Sequence, residues 1–267
     1  MTMKASKTPR ADACIAMPST SRVSVSRPSL SLLGAEPWRA VLEYWAFHAN
    51  IDKRQSPAPL GDGHPVIIFP GLATDGSALG LLHDHCQSLG YQAMDWGRGY
   101  NTGPTGDMGP WLADLAAHTS EMLQGYASTA TLIGWSLGGI YAREVAKLLV
   151  PQVRQVITIG TPFNTEADHT NVGWLFSPMS SAPLAIDPAL SRRLRTPPRL
   201  PTTSIYSRSD GVVAWETCCH AKSSRFVQDI EIDGSHIGMG WNPAVFRIVA
   251  DRLGQAPANW LPYAHSA

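Results

Sequence analysis

The sequence predicts an α/β fold, a mostly parallel sheet of about six strands covered by helices on both faces. Three observations predict it. From residue 65 onward, short apolar runs alternate with segments of helical periodicity. Alternation of this kind needs crossover connections, which join parallel neighbours and place helices on the sheet faces. Finally, Gly134-Trp135-Ser136-Leu137-Gly138 lies between an apolar run and an amphipathic segment, where the chain must turn from strand to helix within about two residues.

Residues 1 to about 28 are rich in Ser, Thr, Lys and Arg, with Asp12 their one acid, and lack the continuous apolar core of a secretory signal. A disordered tail is expected there, with an organelle-targeting peptide as the alternative. Residues 29 to 267 are expected to form one domain. Pro37 to Phe47 form a short helix in this reading, packed beside the core through Trp38, Val41, Leu42 and Trp45. Strands are predicted near 65 to 69, 91 to 95, 129 to 134, 153 to 159, 202 to 207 and 226 to 232. Helices near 77 to 89, 109 to 124, 138 to 150 and 243 to 253 fill the gaps.

Residues 163 to 201 break the alternation and are too long for an ordinary connection, so they are read as a cap segment. Within it Trp174, Leu175, Phe176, Met179, Leu184 and Ile186 either line or cover an acyl pocket, or simply anchor the loop. Arg192, Arg193, Arg195 and Arg199 give its end a basic character.

A chain of 267 residues with 44% hydrophobic and 16% charged content suits one soluble globular domain with a substantial core. Lys+Arg and Asp+Glu both total 21, so the formal charge is zero and no global attraction to nucleic acid or acidic membranes is expected. No run reaches the ~18 apolar residues of a membrane span. A soluble, cytoplasmic protein without a transmembrane segment is expected, and nothing in the sequence sets an oligomeric state. The cysteines, at 14, 86, 218 and 219, read as free thiols, although export would allow a bridge from Cys86 to Cys218 or Cys219.

Two motifs invite cofactor readings. The histidines of His83-Asp84-His85-Cys86 are two apart on a helix and point away from each other, and no second cluster completes a metal site. The loop from Gly97 to Gly106 breaks the dinucleotide spacing at Thr102 and has no Gly-Lys-Ser/Thr after it, so it reads as a structural loop over the site. Neither metal nor organic cofactor is expected.

The serine carries the chemistry. A sharp strand-to-helix turn forces Ser136 into a strained conformation with its hydroxyl above the sheet, and glycines at 134 and 138 remove the clashes. Serine needs a base, and the base needs a group to hold its tautomer. Asp210, at the end of the strand from Thr202, is the candidate acid, and His236, after the strand from Phe226, is the candidate base. Asp233 and Asp187 are weaker rivals for the acid. The backbone N–H of Leu137 is one candidate oxyanion donor, and Leu72 N–H, in the turn Pro70-Gly71-Leu72, is the other. All of these residues fall at the carboxyl ends of predicted strands, where open α/β sheets bind ligands.

Phe69-Pro70-Gly71-Leu72, Gly134-Trp135-Ser136-Leu137-Gly138, Ile159-Gly160-Thr161-Pro162-Phe163, Ser209-Asp210-Gly211-Val212-Val213 and Gly234-Ser235-His236-Ile237-Gly238 resemble the blocks of α/β-hydrolase lipases and esterases, over roughly residues 62 to 253. Asp95-Trp96-Gly97-Arg98-Gly99-Tyr100-Asn101 is similar to a block of small bacterial lipase-like hydrolases. The chain departs from many of these relatives in having Pro70 where they carry histidine, and the donor falls at 71 or 72. The resemblance implies an α/β-hydrolase fold and a Ser-His-Asp carboxylic ester hydrolase without a metal or organic cofactor, but it does not imply a substrate; a small-molecule or lipid-like ester is the one that fits the expected cap best. An acyltransferase or thioesterase would use the same triad, and a binding protein on this scaffold would use none of it.

Overall fold

The computed structural model describes residues 27–49, 61–164, 188–221 and 224–264. Six strands form one sheet, β1 (Pro65–Phe69), β2 (Gln92–Asp95), β3 (Ala130–Trp135), β4 (Val153–Ile159), β5 (Thr202–Tyr206) and β6 (Val227–Glu231). Their order is β2-β1-β3-β4-β5-β6 and every pairing is parallel. The chain moves outward from β1 to β2, then crosses back over β1 to place β3. The direction of winding therefore reverses between β1 and β3, opening a crevice above their carboxyl ends.

Among the described residues the α-helices are α1 (Leu30–Ala49), α2 (Gly80–Ser88), α3 (Met108–Met122), α4 (Leu137–Leu148), α5 (Pro188–Arg195) and α6 (Pro243–Leu253). Strand alternation divides the core in two. Ile67, Phe69, Leu132 and Val156 face α3 and α4, where Leu112, Leu115, Ile140, Tyr141 and Val145 meet them. Val66, Ile68, Ile133, Ile157, Ile205 and Ile230 face the other way, against Phe47 of α1, Leu82 and Cys86 of α2, and Val245, Ile248 and Val249 of α6. The central strands are buried on both sides, which is why they read as unbroken apolar runs in the sequence.

The N-terminal helix corrects the sequence expectation. It starts at Leu30, with Ser29 Oγ accepting from Leu32 N–H at 3.2 Å, and carries Pro37 inside it instead of at its start. Trp38, Val41, Leu42 and Trp45 do not pack on the core; they are exposed. The buried positions are Glu36, Ala40 and Phe47. At 3.6 residues per turn these lie roughly half a turn from the tryptophans. The inner face of the helix is partly polar because it meets unpaired backbone N–H groups, which carboxylates satisfy and apolar side chains cannot.

The cap expected over residues 163 to 201 lies largely outside the described residues, as do Trp174, Leu175, Phe176, Met179, Leu184, Ile186 and Asp187. Its last part contains α5, which was not expected from sequence. This helix packs on α4 through Leu194, and Arg193 Nε reaches the buried Glu144 carboxylate at 2.6 Å.

Candidate active site

Ser136 joins β3 to α4 with φ 54° and ψ −124°, a conformation few side-chain-bearing residues adopt. Strain of about 1–3 kcal/mol is typical of such a residue and persists only where its surroundings fix it. They do so here. Ser136 N–H donates to Ile159 O at 2.8 Å, and Ser136 O accepts from Gly139 N–H at 3.0 Å. A Cβ on Gly134 would overlap the Gly138 carbonyl and Gly139 Cα, and one on Gly138 would overlap the carbonyl of Phe69. Glycine is therefore required for close approach, which lets α4 begin directly beneath the serine. Its free N–H groups and dipole favour negative charge at that point.

Asp210 and His236 come together from the loops after β5 and β6. Both are buried, and His236 Nδ1 donates to Asp210 Oδ2 at 2.6 Å. Asp210 Oδ1 accepts from Val212 N–H at 2.8 Å and Val213 N–H at 2.7 Å, so the carboxylate is held at both oxygens. Asp233, the rival acid, is exposed, whereas Asp210 is buried. Burial by itself disfavours the imidazolium, but the charge of Asp210, its hydrogen bond and the charge of Glu36 together raise the His236 pKa above the ordinary histidine value. Trp135, next to the serine, donates from Nε1 to His236 O at 3.2 Å and places the two loops side by side. Among the described residues no hydrogen bond joins Ser136 to His236, a contact that often tightens only when substrate binds.

Sequence reasoning missed what holds these loops. Glu36 is 2% exposed. Its Oε1 accepts from Gly211 N–H at 2.7 Å and His236 N–H at 3.0 Å, and its Oε2 from Ile237 N–H at 3.3 Å. One carboxylate thus ties the acid loop to the base loop. One turn along α1, Arg39 Nη2 donates to Ser209 Oγ at 2.9 Å. Further along, Glu43 accepts from Ser235 N–H at 2.9 Å and from Ser235 Oγ–H at 2.7 Å. The signal was present in the sequence: Glu36, Arg39 and Glu43 recur at helical spacing in a helix with no other Asp, Glu, Lys or Arg.

The turn after β1 lies against the serine, since a Cβ on Gly71 would stand 3.3 Å from Ser136 Cβ. Among the described residues no hydrogen bond takes up Leu72 N–H or Leu137 N–H. Asn101, fully buried, fixes this turn. It donates from Nδ2 to Pro70 O at 2.9 Å, accepts at its own carbonyl from Ala73 N–H at 2.8 Å, and donates its N–H to Thr74 O at 2.7 Å. Ala73 takes φ 58° as a result. The loop from Gly97 thus props the turn from behind, and the asparagine ending the Asp95 to Asn101 block was the legible sign of it.

The remaining motif residues lie elsewhere. His83 Nε2 is 3.1 Å from Ala93 O on β2, whereas His85 Nε2 is 3.1 Å from Phe246 O on α6. The two rings therefore diverge to different elements. Cys86, Cys218 and Cys219 are free, so the alternative bridge from Cys86 is not formed, and Cys14 lies outside the described residues. Burial pushes the Cys86 thiol up to about 12.

No family model matches the chain. A curated relative, the pimeloyl-[acyl-carrier protein] methyl ester esterase of Shewanella woodyi, is 28% identical over 103 residues, which are 38% of this chain and 38% of that protein. Lipase B of Aspergillus fumigatus superposes with a TM-score of 0.57 at 20% identity, over 76% of this chain and 57% of the lipase. This chain therefore spans less than two thirds of either protein. The Bacillus licheniformis lipase BlEst2 gives a TM-score of 0.53 at 18% identity, over 75% of this chain and 94% of that one. An alpha/beta superfamily hydrolase from Oenococcus oeni gives 0.52 at 16%, over 73% and 95%. At these identities the likeness is one of architecture, and it is plain: the chain has the α/β-hydrolase fold.

Proposed function

We propose that this chain is a serine hydrolase of carboxylic esters, with Ser136 as nucleophile, His236 as general base and acid, and Asp210 as the group that orients the histidine. One observation carries the reading: a buried Asp210–His236 pair packs against Trp135, the residue that precedes a serine held at positive φ on a helix N-terminus. Ser136 Oγ attacks the ester carbonyl while His236 Nε2 takes its proton, Asp210 keeping Nδ1 protonated and stabilising the imidazolium. Negative charge moves to the carbonyl oxygen, and the N–H groups of Leu72 and Leu137 are the donors assigned to it. Collapse expels the alcohol, which receives the proton from His236. Water then repeats the sequence on the acyl-enzyme and returns Ser136. No step calls for a metal or organic cofactor. The lipases and esterases among the structural neighbours, and the curated methyl ester esterase, favour a small-molecule or lipid-like ester as substrate.

The test is hydrolysis of p-nitrophenyl esters from acetate to palmitate by the wild type and Ser136→Ala. Turnover is expected to fall at least about 10⁴-fold in the variant at unchanged fold. A folded Ser136→Ala protein that keeps wild-type turnover would refute the assignment.

A further inference from the structure

We propose that the outward face of α1 is a docking surface for an anionic lipid bilayer. No residue that this helix exposes is charged. Leu30 is 85% exposed, Trp38 74%, Leu42 66% and Trp45 68%, with Leu33 and Val41 beside them. A patch of this kind on a single helix is larger than the scattered apolar residues of an ordinary surface, and it marks an interaction site. The charges of α1 are all turned inward: Glu36, Arg39 and Glu43 are engaged by the loops of Asp210 and His236. Beside the patch, Pro37, Val41, Tyr44, Trp45, Ile237 and Trp241 line an apolar groove of about 420 Å³. Trp241 is fixed there by donating from Nε1 to Ala40 O at 3.2 Å.

Charge selects the occupant. The stretch leading into the helix carries Lys4, Lys7, Arg10, Arg22 and Arg27 against Asp12 alone. Although the whole chain is neutral, the sequence that precedes this helix is locally basic. Basic flanks attract anionic headgroups, and tryptophan with leucine inserts at the boundary between headgroups and acyl chains. No described helix is long and apolar enough to cross a membrane. Helix α1 grips both loops of the candidate site from its inner side, so docking holds those loops about one helix diameter, ~10 Å, from the lipid surface.

Partition of the full-length protein onto vesicles of phosphatidylcholine, with and without phosphatidylglycerol, tests this. Binding to the anionic vesicles is expected to be at least about tenfold tighter than to the neutral ones, to weaken with salt, and to drop at least about tenfold in the Trp38→Ala/Leu42→Ala/Trp45→Ala variant. Tryptophan fluorescence of the wild type is expected to be quenched by brominated lipid, which needs no variant. The Ser136→Ala protein is expected to bind like the wild type, and the triple variant to keep wild-type hydrolysis of a soluble acetate ester. Docking therefore stands or falls apart from the catalytic reading. Equal partition onto both vesicles, no partition of the folded wild type, or a wild-type dimer that the triple substitution makes monomeric would overturn the proposal, the last by giving the face to a second copy.

Discussion

At the scale of single residues, His236 is held from three sides. Asp210 takes its Nδ1–H, Glu36 takes its backbone N–H, and Trp135 donates to its carbonyl. Asp210→Asn leaves the shape but favours the wrong tautomer and withdraws the charge, so kcat is expected to fall by about 10³–10⁴-fold; a loss under tenfold would contradict the orienting role. For pH, the sign follows from the base needing its neutral form. A raised His236 pKa places the rising limb of kcat/KM above the ordinary histidine value of 6.5. The negative charge of Glu36 contributes to that rise, so Glu36→Gln is expected to move the limb toward lower pH while keeping an oxygen for the Gly211 and His236 N–H groups. Glu36→Ala leaves those donors without a partner and is expected to lose about 1–3 kcal/mol of stability as well. A limb that stays in place in Glu36→Gln would show that the carboxylate acts by packing alone.

At the scale of elements, the junctions decide the site. The strand β3 and helix α4 meet so closely that Gly138→Ala would drive a methyl into the Phe69 carbonyl, with an expected loss of about 1–3 kcal/mol measured by denaturant unfolding. Near-wild-type stability would mean that the junction yields more readily than its contacts imply. All six strands were legible in the sequence, as was the placing of Ser136, Asp210 and His236 just after three of them, because strand-length apolar runs and turn residues are local signals. The role of α1 was not. Periodicity placed Trp38, Val41, Leu42 and Trp45 on one stripe, and an apolar stripe ordinarily faces a core. Here the loops after β5 and β6 present bare N–H groups to the helix, and that long-range demand turned Glu36 and Glu43 inward. Helix α5 was illegible for a related reason: its hold on α4 rests on the pairing of Arg193 with Glu144 and the burial of Leu194, which only the tertiary fold brings together.

At the scale of the whole molecule, two apolar layers sandwich the sheet and the candidate chemistry sits where its winding reverses. Cys86 lies on the buried face of α2, and Cys218 is likewise enclosed, their thiols raised by burial. Both are expected to resist a thiol reagent until the protein unfolds, followed by peptide mapping of the label; prompt modification of the native protein at either would contradict the packing. The resemblance carried by the sequence blocks fits the architecture, while the blocks themselves say nothing of Glu36, which ties the loops of Asp210 and His236 together. The most direct measurement is mass-spectrometric mapping of a fluorophosphonate adduct on the native protein. The expected result is one adduct on the peptide containing Ser136, lost in Ser136→Ala and strongly slowed in Asp210→Asn. A folded wild type that takes no label at Ser136, or that takes it elsewhere, would contradict the assignment of this serine as nucleophile.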